Sequence, residues 1–237
     1  MRETMKYLCE NIQGCVFGFQ QSDEITLILV DYKKLTSSAW FDYEVQKMCS
    51  IAASMATMAF NKYFVENYLN YIAKTEWDFS TDKGKDNYRK IFNAYETAAK
   101  KGAMFDARCF NIPKEEVANL IYWRQLDAAR NSIQMVGQAY FSHSELHGKN
   151  QNDIQEMLWA THGINWNDYP THLKRGSCCI KVGQKTTCAE EHLDGTVNTW
   201  TIERPHWKID LDIPMFKGIN RKYINDLIDY EEDYVIF

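Results

Sequence analysis

The hydrophobic positions of the first 30 residues predict a helix followed by a β-hairpin. Met1, Met5, Leu8 and Ile12 recur at helical spacing, and a glycine follows them as a stop signal. Residues 15–30 then form two hydrophobic runs on either side of a polar Gln-Gln-Ser-Asp-Glu segment. Two such runs around a polar turn are typical of a hairpin, with its acidic pair at the tip or at the start of the second strand.

The remaining pattern predicts mostly helices with strands between them. In chain order these are a helix from the cap residues Thr36, Ser37 and Ser38 to about Ala73, an insertion or peripheral helices at 74–102, a short strand at 104–112, a long or broken helix at 114–148, a helix at 152–163, strands at 175–183 and 197–214, and a last helix at 219–233. This order predicts an α+β fold, with helices packed on one face of a mostly antiparallel sheet. It is one strand short of the split β-α-β pattern, which begins with a strand.

Composition narrows the classes of function. The chain has 237 residues and a net charge of −5, so contact with a polyanion requires a local basic patch. Its seven cysteines include no CxxC pair, and the first residues lack a continuous apolar signal segment, which together predict a reduced, cytoplasmic protein. The longest uncharged stretch, 48–61, is too short for a bilayer span, which takes roughly 20 apolar residues. A membrane protein is therefore excluded.

The adjacent carboxylates Asp23 and Glu24 are the strongest candidates for chemistry. If both lie on a strand, they point to opposite faces, so one faces a functional surface and the other needs a structural partner. A carboxylate at a hairpin tip suits a hard cation, because it leaves room for water and phosphate oxygens. The alternative is a solvated turn.

Four segments, in this order, carry a resemblance to a known family: GFQQSDEITLIL at 18–29, FDARCF at 105–110, WRQLDAARNSI at 123–133 and HLKRG at 172–176. The chain resembles tRNA(His) guanylyltransferases and their 3′-to-5′ polymerase-like relatives over about residues 1–182. The resemblance implies a polymerase-palm-like fold and a reaction in which the 3′-OH of a nucleotide attacks an activated 5′ end of tRNA. It also implies ATP and GTP as substrates and a homotetramer.

The resemblance also assigns roles to individual residues. Asp23 and Glu24 match catalytic acids, and Asp23 matches a metal ligand for one of two Mg²⁺ ions. Ser22 and Asp23 match the stretch that touches the triphosphate, and Lys174 and Arg175 are the matching cations for triphosphate or RNA. The two cations lie in a predicted loop, and a plain charged turn is the alternative.

The helix motif supplies the candidate RNA contacts Arg124, Arg130 and Asn131. Eukaryotic guanylyltransferases have a histidine where this chain has Ala129, which favours the polymerase-like branch. Without the resemblance, the same residues indicate a solvated helix face, because Asp127 and Arg130 have the i,i+3 spacing of an ion pair.

One expected feature is absent from this sequence, so we expect either a truncated sequence or a catalytically degraded protein. The family carries an Asp-Gly motif on a strand before the first helix, and that aspartate is a metal ligand; Asp31 and Asp106 are candidate substitutes. We therefore expect a palm without its first strand at 1–182, with 74–102 as an insertion, followed by C-terminal strands and a helix at 183–237. Two hypotheses follow: a Mg²⁺-dependent nucleotidyltransferase acting on tRNA, or a catalytically degraded relative that binds nucleotide or RNA or assembles.

Overall fold

The computed structural model describes residues 1–191 and 197–229. Its elements are α1 (Arg2–Asn11), β1 (Cys15–Gln21), β2 (Glu24–Leu29), α2 (Val45–Lys74), α3 (Asp82–Lys101), α4 (Lys114–Tyr140), α5 (His143–Leu146), α6 (Gln151–His162), α7 (Thr171–Arg175), β3 (Ser177–Glu191), β4 (Val197–Asp210) and α8 (Lys222–Asn225). Within the described ranges, every helix is too short or too polar to cross a bilayer.

The strands form one antiparallel sheet in the order β2-β1-β3-β4, which confirms the α+β class and the predicted hairpin. Strand β1 pairs with β2 through the opposed residues Gln21 and Glu24 at the hairpin turn. On its other side, β1 pairs with the first residues of β3, where Gln20 faces Ser177. The hairpin turn and the start of β3 therefore lie at the same end of the sheet.

Helices cover both faces of the sheet rather than one. Phe17 and Phe19 of β1 are buried on one face together with Ile121 of α4. Between them, Gly18 faces Met5 of helix α1 on the opposite side. Successive strand residues point to opposite faces, so β1 is sandwiched between two helical layers.

The predicted strand at 104–112 is wrong, because residues 102–113 form no strand. Side chains of α2, rather than a neighbouring strand, form hydrogen bonds with this backbone. The amide group of Asn61 bonds to both the N–H (2.8 Å) and the carbonyl (2.9 Å) of Ala103, and Thr57 accepts the Phe105 N–H at 3.1 Å. Backbone groups need a partner when they leave water, and here helix side chains provide it.

The predicted cap of the second helix is also wrong. Helix α2 begins at Val45 rather than next to Thr36–Ser38. A 3₁₀ turn at Trp40–Tyr43 separates the two, and its last three residues have positive φ angles of 52°, 50° and 63°. Residues in the left-handed conformation cannot continue a right-handed helix, so Thr36, Ser37 and Ser38 do not cap α2.

Strand β3 extends farther than the predicted end at residue 183, whereas β4 ends at Asp210, before the predicted end at residue 214. Pairing with β1 covers only Ser177 to Ile180 of β3, whereas the β3–β4 ladder continues to the pair formed by Glu191 and Val197. The remainder is a two-stranded arm beyond the main sheet. The boundary expected after residue 182 falls inside β3, and Phe216 packs in the same core as Phe17.

The segments expected to be peripheral, residues 74–102 and the last predicted helix, differ in how they pack. Helix α3 lies in the expected insertion and has no buried residue along its described length. It contacts α2 through aromatic rings, such as the stacked pair Tyr68 and Tyr95 at 6.2 Å. The last predicted helix is only four residues long, at Lys222–Asn225, and residues 230–233 of that prediction lie outside the described ranges.

Candidate functional site

The candidate site lies at the end of the sheet that carries the hairpin turn. Ser22 and Asp23 form this two-residue turn between the paired residues Gln21 and Glu24. Ser22 has a φ of 48°, and its carbonyl accepts a hydrogen bond of 2.8 Å from the Gln20 side chain. The turn is therefore held by its own strand.

Of the two expected positions, the hairpin tip and the start of the second strand, Asp23 occupies the tip. Its side chain is exposed, and within the described part of the chain its carboxylate forms no hydrogen bond or ion pair. Such a carboxylate keeps its full capacity to accept hydrogen bonds or bind a cation.

Glu24 has structural partners, which fits the expectation that one member of the acidic pair would find one. Its Oε2 accepts a hydrogen bond from Gln21 Nε2 at 3.0 Å and forms an ion pair with Arg124 at 3.1 Å. The side chains of Glu24 and Arg124 are 49% and 40% exposed, so this ion pair contributes at most about 1 kcal/mol. Its main effect is to join helix α4 to the hairpin turn.

The other predicted RNA contacts on α4 are held by Asp127. Arg130 forms an ion pair with Asp127 at 3.9 Å, and the Asn131 amide donates to the same carboxylate at 3.2 Å. This is the ion pair expected if these residues form only a solvated helix face. All three side chains lie at the surface of α4, so their partners can be exchanged without opening the core.

Gln125 has a structural role that the sequence argument missed. It is fully buried, accepts the Phe216 N–H at 2.8 Å and donates to the Pro214 carbonyl at 2.8 Å. Gln125 therefore fastens the C-terminal segment to α4. Its spacing from the buried residues Ile121 and Ala128 would have indicated a core-facing position.

The sequence predicts a loop at Lys174 and Arg175, but both residues lie in the short helix α7. Arg175 Nε donates to the Ile213 carbonyl at 3.2 Å, and Lys174 Nζ donates to the Asn167 carbonyl. Both cations are partly buried by these contacts. In the same helix, partial burial and, to a lesser extent, the charge of Arg2 lower the pKa of His172.

Gly176, the residue that follows α7, packs closely against strand β1 of the hairpin. Its φ is 86°, in the left-handed region, and a Cβ atom there would lie 2.7 Å from the Gln20 carbonyl oxygen. A glycine is thus required for this close approach. The result is that the basic helix end and the hairpin turn belong to one end of the sheet.

No cluster of three metal-ligating side chains occurs among residues 1–191 and 197–229. Of the candidate substitutes, Asp31 accepts a hydrogen bond from Tyr43, and Asp106 pairs with Arg108 at 3.6 Å. Asp23 therefore belongs to no group of three or more possible metal ligands among the described residues, and Glu24, the carboxylate next to it in sequence, is bound to Gln21 and Arg124. Mg²⁺ usually binds one or two carboxylates together with substrate phosphates, so this donor set fits an ion that arrives with a nucleotide.

Comparison with known sequences gives a consistent result. A family model described as tRNAHis guanylyltransferase matches residues 1–113. An uncharacterized protein of Acanthamoeba polyphaga mimivirus is 26% identical over 237 residues, covering 93% of this chain and 74% of its own length. The tRNA(His) guanylyltransferase of Saccharomyces cerevisiae is 24% identical over 180 residues, covering 71% of this chain and 64% of its own length.

Solved structures extend the similarity across the described fold. A bacterial tRNA(His) guanylyltransferase (Thg1)-like protein in complex with ATP is 34% identical, with a TM-score of 0.70, over 95% of this chain and 76% of that one. A second structure of such a bacterial protein, in complex with GTP, is 31% identical, with a TM-score of 0.62, over 95% and 75%.

Proposed function

We propose that this chain, which belongs to the tRNA(His) guanylyltransferase family, adds guanylate or another nucleotide to the 5′ end of a tRNA in the 3′-to-5′ direction. The observation that carries the proposal is the exposed, unpartnered carboxylate of Asp23 in a turn held at the functional end of the sheet. It is supported by similar bacterial proteins that were solved with ATP and with GTP.

In this proposal Asp23 is the protein ligand of Mg²⁺, and Ser22 and Asp23 border the triphosphate. When bound, the ion would neutralise charge on the phosphate oxygens that develop negative charge during transfer. Two ions, as the resemblance implies, need more oxygen ligands than Asp23 offers, and within the described ranges Asp23 belongs to no group of three or more possible metal ligands. Glu24 acts indirectly, because its bond to Arg124 fixes the turn against α4.

We assign RNA contacts to Arg124, Arg130 and Asn131, and triphosphate or 5′-end contacts to Lys174 and Arg175. The ion pairs of Arg124 and Arg130 are solvent-exposed and therefore weak, so a phosphate can replace either carboxylate at little cost. Lys174 and Arg175 now bind main-chain carbonyls, which neutralise neither charge. Within the described ranges neither cation pairs with a carboxylate, so both charges remain available to a phosphate.

The decisive substitution is Asp23→Asn. An amide still forms hydrogen bonds but cannot neutralise a divalent ion, so we expect loss of Mg²⁺-dependent GTP binding. The fold should persist, with a free energy of unfolding within about 0.5 kcal/mol of the parent, because the carboxylate has no described partner. Asp31→Asn is the matched control, since that carboxylate is engaged by Tyr43. Equal GTP and Mg²⁺ binding by Asp23→Asn and the parent would refute the assignment.

The rival proposal is a catalytically degraded relative that binds nucleotide or RNA without transfer. It is favoured by the absence, among the described residues, of any group of three or more His, Cys, Asp or Glu side chains that could hold a metal ion. A 5′-monophosphorylated tRNA incubated with labelled GTP, ATP and Mg²⁺ separates the two proposals. Label at the 5′ end supports the enzyme, whereas binding of GTP and tRNA without label transfer supports the degraded relative.

The resemblance implies a homotetramer, and the cysteine pattern and the first residues predict a cytoplasmic protein; both remain part of the proposal. Sedimentation velocity of the purified chain tests the first directly. A single species at the mass of four chains of 27.8 kDa is expected, and a monomer at micromolar concentration would contradict it.

A further inference from the structure

Helix α4 carries an exposed tryptophan beside the candidate site. The Trp123 side chain is 68% exposed, and its indole has no ring or hydrogen-bond contact within the described part of the chain. It lines an open groove of about 570 Å³, together with Leu120 and the guanidinium groups of Arg124 and Arg130. The groove is thus lined by apolar side chains, two arginines and two carboxylates.

This combination suits a particular ligand chemistry. Unpaired bases stack on exposed aromatic rings, and guanidinium groups bind the adjoining phosphates. Glu116 and Asp127 also line the groove, and Asp127 pairs with Arg130 at 3.9 Å. A phosphate can displace this exposed carboxylate with little loss, because such ion pairs contribute about 0–1 kcal/mol.

The groove is linked to the end of the sheet that carries the hairpin turn. Arg124 lines it and also bonds to Glu24, the residue that follows Asp23 in the hairpin turn. Arg124 thus connects the groove to the hairpin turn.

We infer that Trp123 is a stacking platform for an unpaired base of the RNA substrate, with Arg130 binding the phosphate next to that base. The inference rests on the proposed function, since it assumes that RNA reaches the turn. It adds the means by which the chain holds a single-stranded RNA end, a contact independent of the nucleotide triphosphate. Trp123 acts in binding and positioning and touches no reacting atom.

The test uses a 5′-monophosphorylated 12-nucleotide single-stranded RNA and fluorescence anisotropy. Trp123→Ala should weaken binding by about tenfold, within the range expected for one base stack, and Trp123→Phe should retain most of the affinity. Trp159→Ala is the matched control, because Trp159 is 64% exposed on α6 and outside the groove. A salt series separates the roles: Arg130→Ala should reduce the slope of log K against log salt by about 0.7, and Trp123→Ala should leave it unchanged.

Each outcome decides the inference. It is overturned if Trp123→Ala and Trp159→Ala bind RNA equally, or if Trp123→Ala lowers the sedimentation coefficient, which would mark an interface between copies. Nucleotide binding distinguishes a failure of this inference from a failure of the proposed function. If the parent binds GTP but Trp123→Ala has no effect on RNA, only this inference fails; if the parent binds neither GTP nor RNA, the proposed function fails with it. Near-normal RNA binding by Trp123→Phe shows that loss in the alanine variant is not misfolding.

Discussion

Gly18 on strand β1 offers a direct test of how helix α1 packs against the sheet. A Cβ atom at this position would lie 2.5 Å from Cys9 Sγ and 2.9 Å from Met5 Cγ, and Cβ contacts under 3.0 Å essentially never occur. Met5 and Cys9 are only 0% and 2% exposed, so neither side chain can move into solvent. Gly18→Ala therefore forces α1 away from the sheet.

The expected cost follows from overpacking a dense core. Such insertions typically lower the free energy of unfolding by about 1–3 kcal/mol, and we expect a value in that range for Gly18→Ala. Urea denaturation followed by circular dichroism measures it, with an unchanged m value as the sign that unfolding stays cooperative. Gly183→Ala is the matched strand control, because the new methyl group meets only the carboxylate end of the exposed Glu203 side chain.

The double variant Cys9→Ala/Gly18→Ala refines the test. Removing Sγ clears part of the space that the new methyl group needs, so the two changes should be less destabilising together than the sum of the single effects. Equal stability of Gly18→Ala and the parent would refute the described packing of α1 on this face. A larger loss for Gly183→Ala than for Gly18→Ala would refute it as well.

Three further predictions concern other parts of the molecule. Gln125→Leu leaves two buried backbone groups of the C-terminal segment without partners, so the free energy of unfolding should fall by about 2–4 kcal/mol in urea; an unchanged value would contradict the buried bonds. The Sγ atoms of Cys49 and Cys109 are 3.5 Å apart, so oxidised glutathione should join them by thiol–disulfide exchange, releasing two reduced glutathione molecules; peptide mapping that finds neither cysteine linked would contradict the placement of residues 102–113 on α2. Because the pKa of His172 is lowered from 6.5, the unfolded chain binds the proton first, and stability should fall as the pH drops below 6.5; His172→Gln should flatten this decline in thermal melts, and an identical pH profile would contradict it.

Local patterns predicted the hairpin, the first helix and helix α6 well. Helix α6 illustrates why: Asn150 caps it with a complete capping box, and Gly163 ends it in the left-handed conformation. These signals act over three or four residues, so they can be read from the sequence. The family resemblance then placed Asp23 at a turn that the structure leaves exposed.

The failures arose where distant residues decide the local structure. The segment 104–112 has strand-like residues, but a strand forms only beside another, and Asn61 and Thr57 bind this backbone instead. Gln125 stands in sequence beside the residues that indicate a solvated helix face, but its partners are backbone groups of the distant C-terminal segment. No short window of sequence contains the partner in either case.

The pairing of β1 with β3 has a consequence for how the chain is made. Joining Phe19 to Cys178 closes a loop of about 160 residues, and the length-dependent part of its entropy cost is about 4.5 kcal/mol. Strands β2 and β4, by contrast, meet their partners within local hairpins. At synthesis rates of about 5–20 residues per second, the edge of β1 waits roughly 8–32 s on the ribosome before Cys178 is made. During that interval the nascent hairpin has an open edge that any other extended chain can join, so the early part of translation is when this protein is most prone to aggregate.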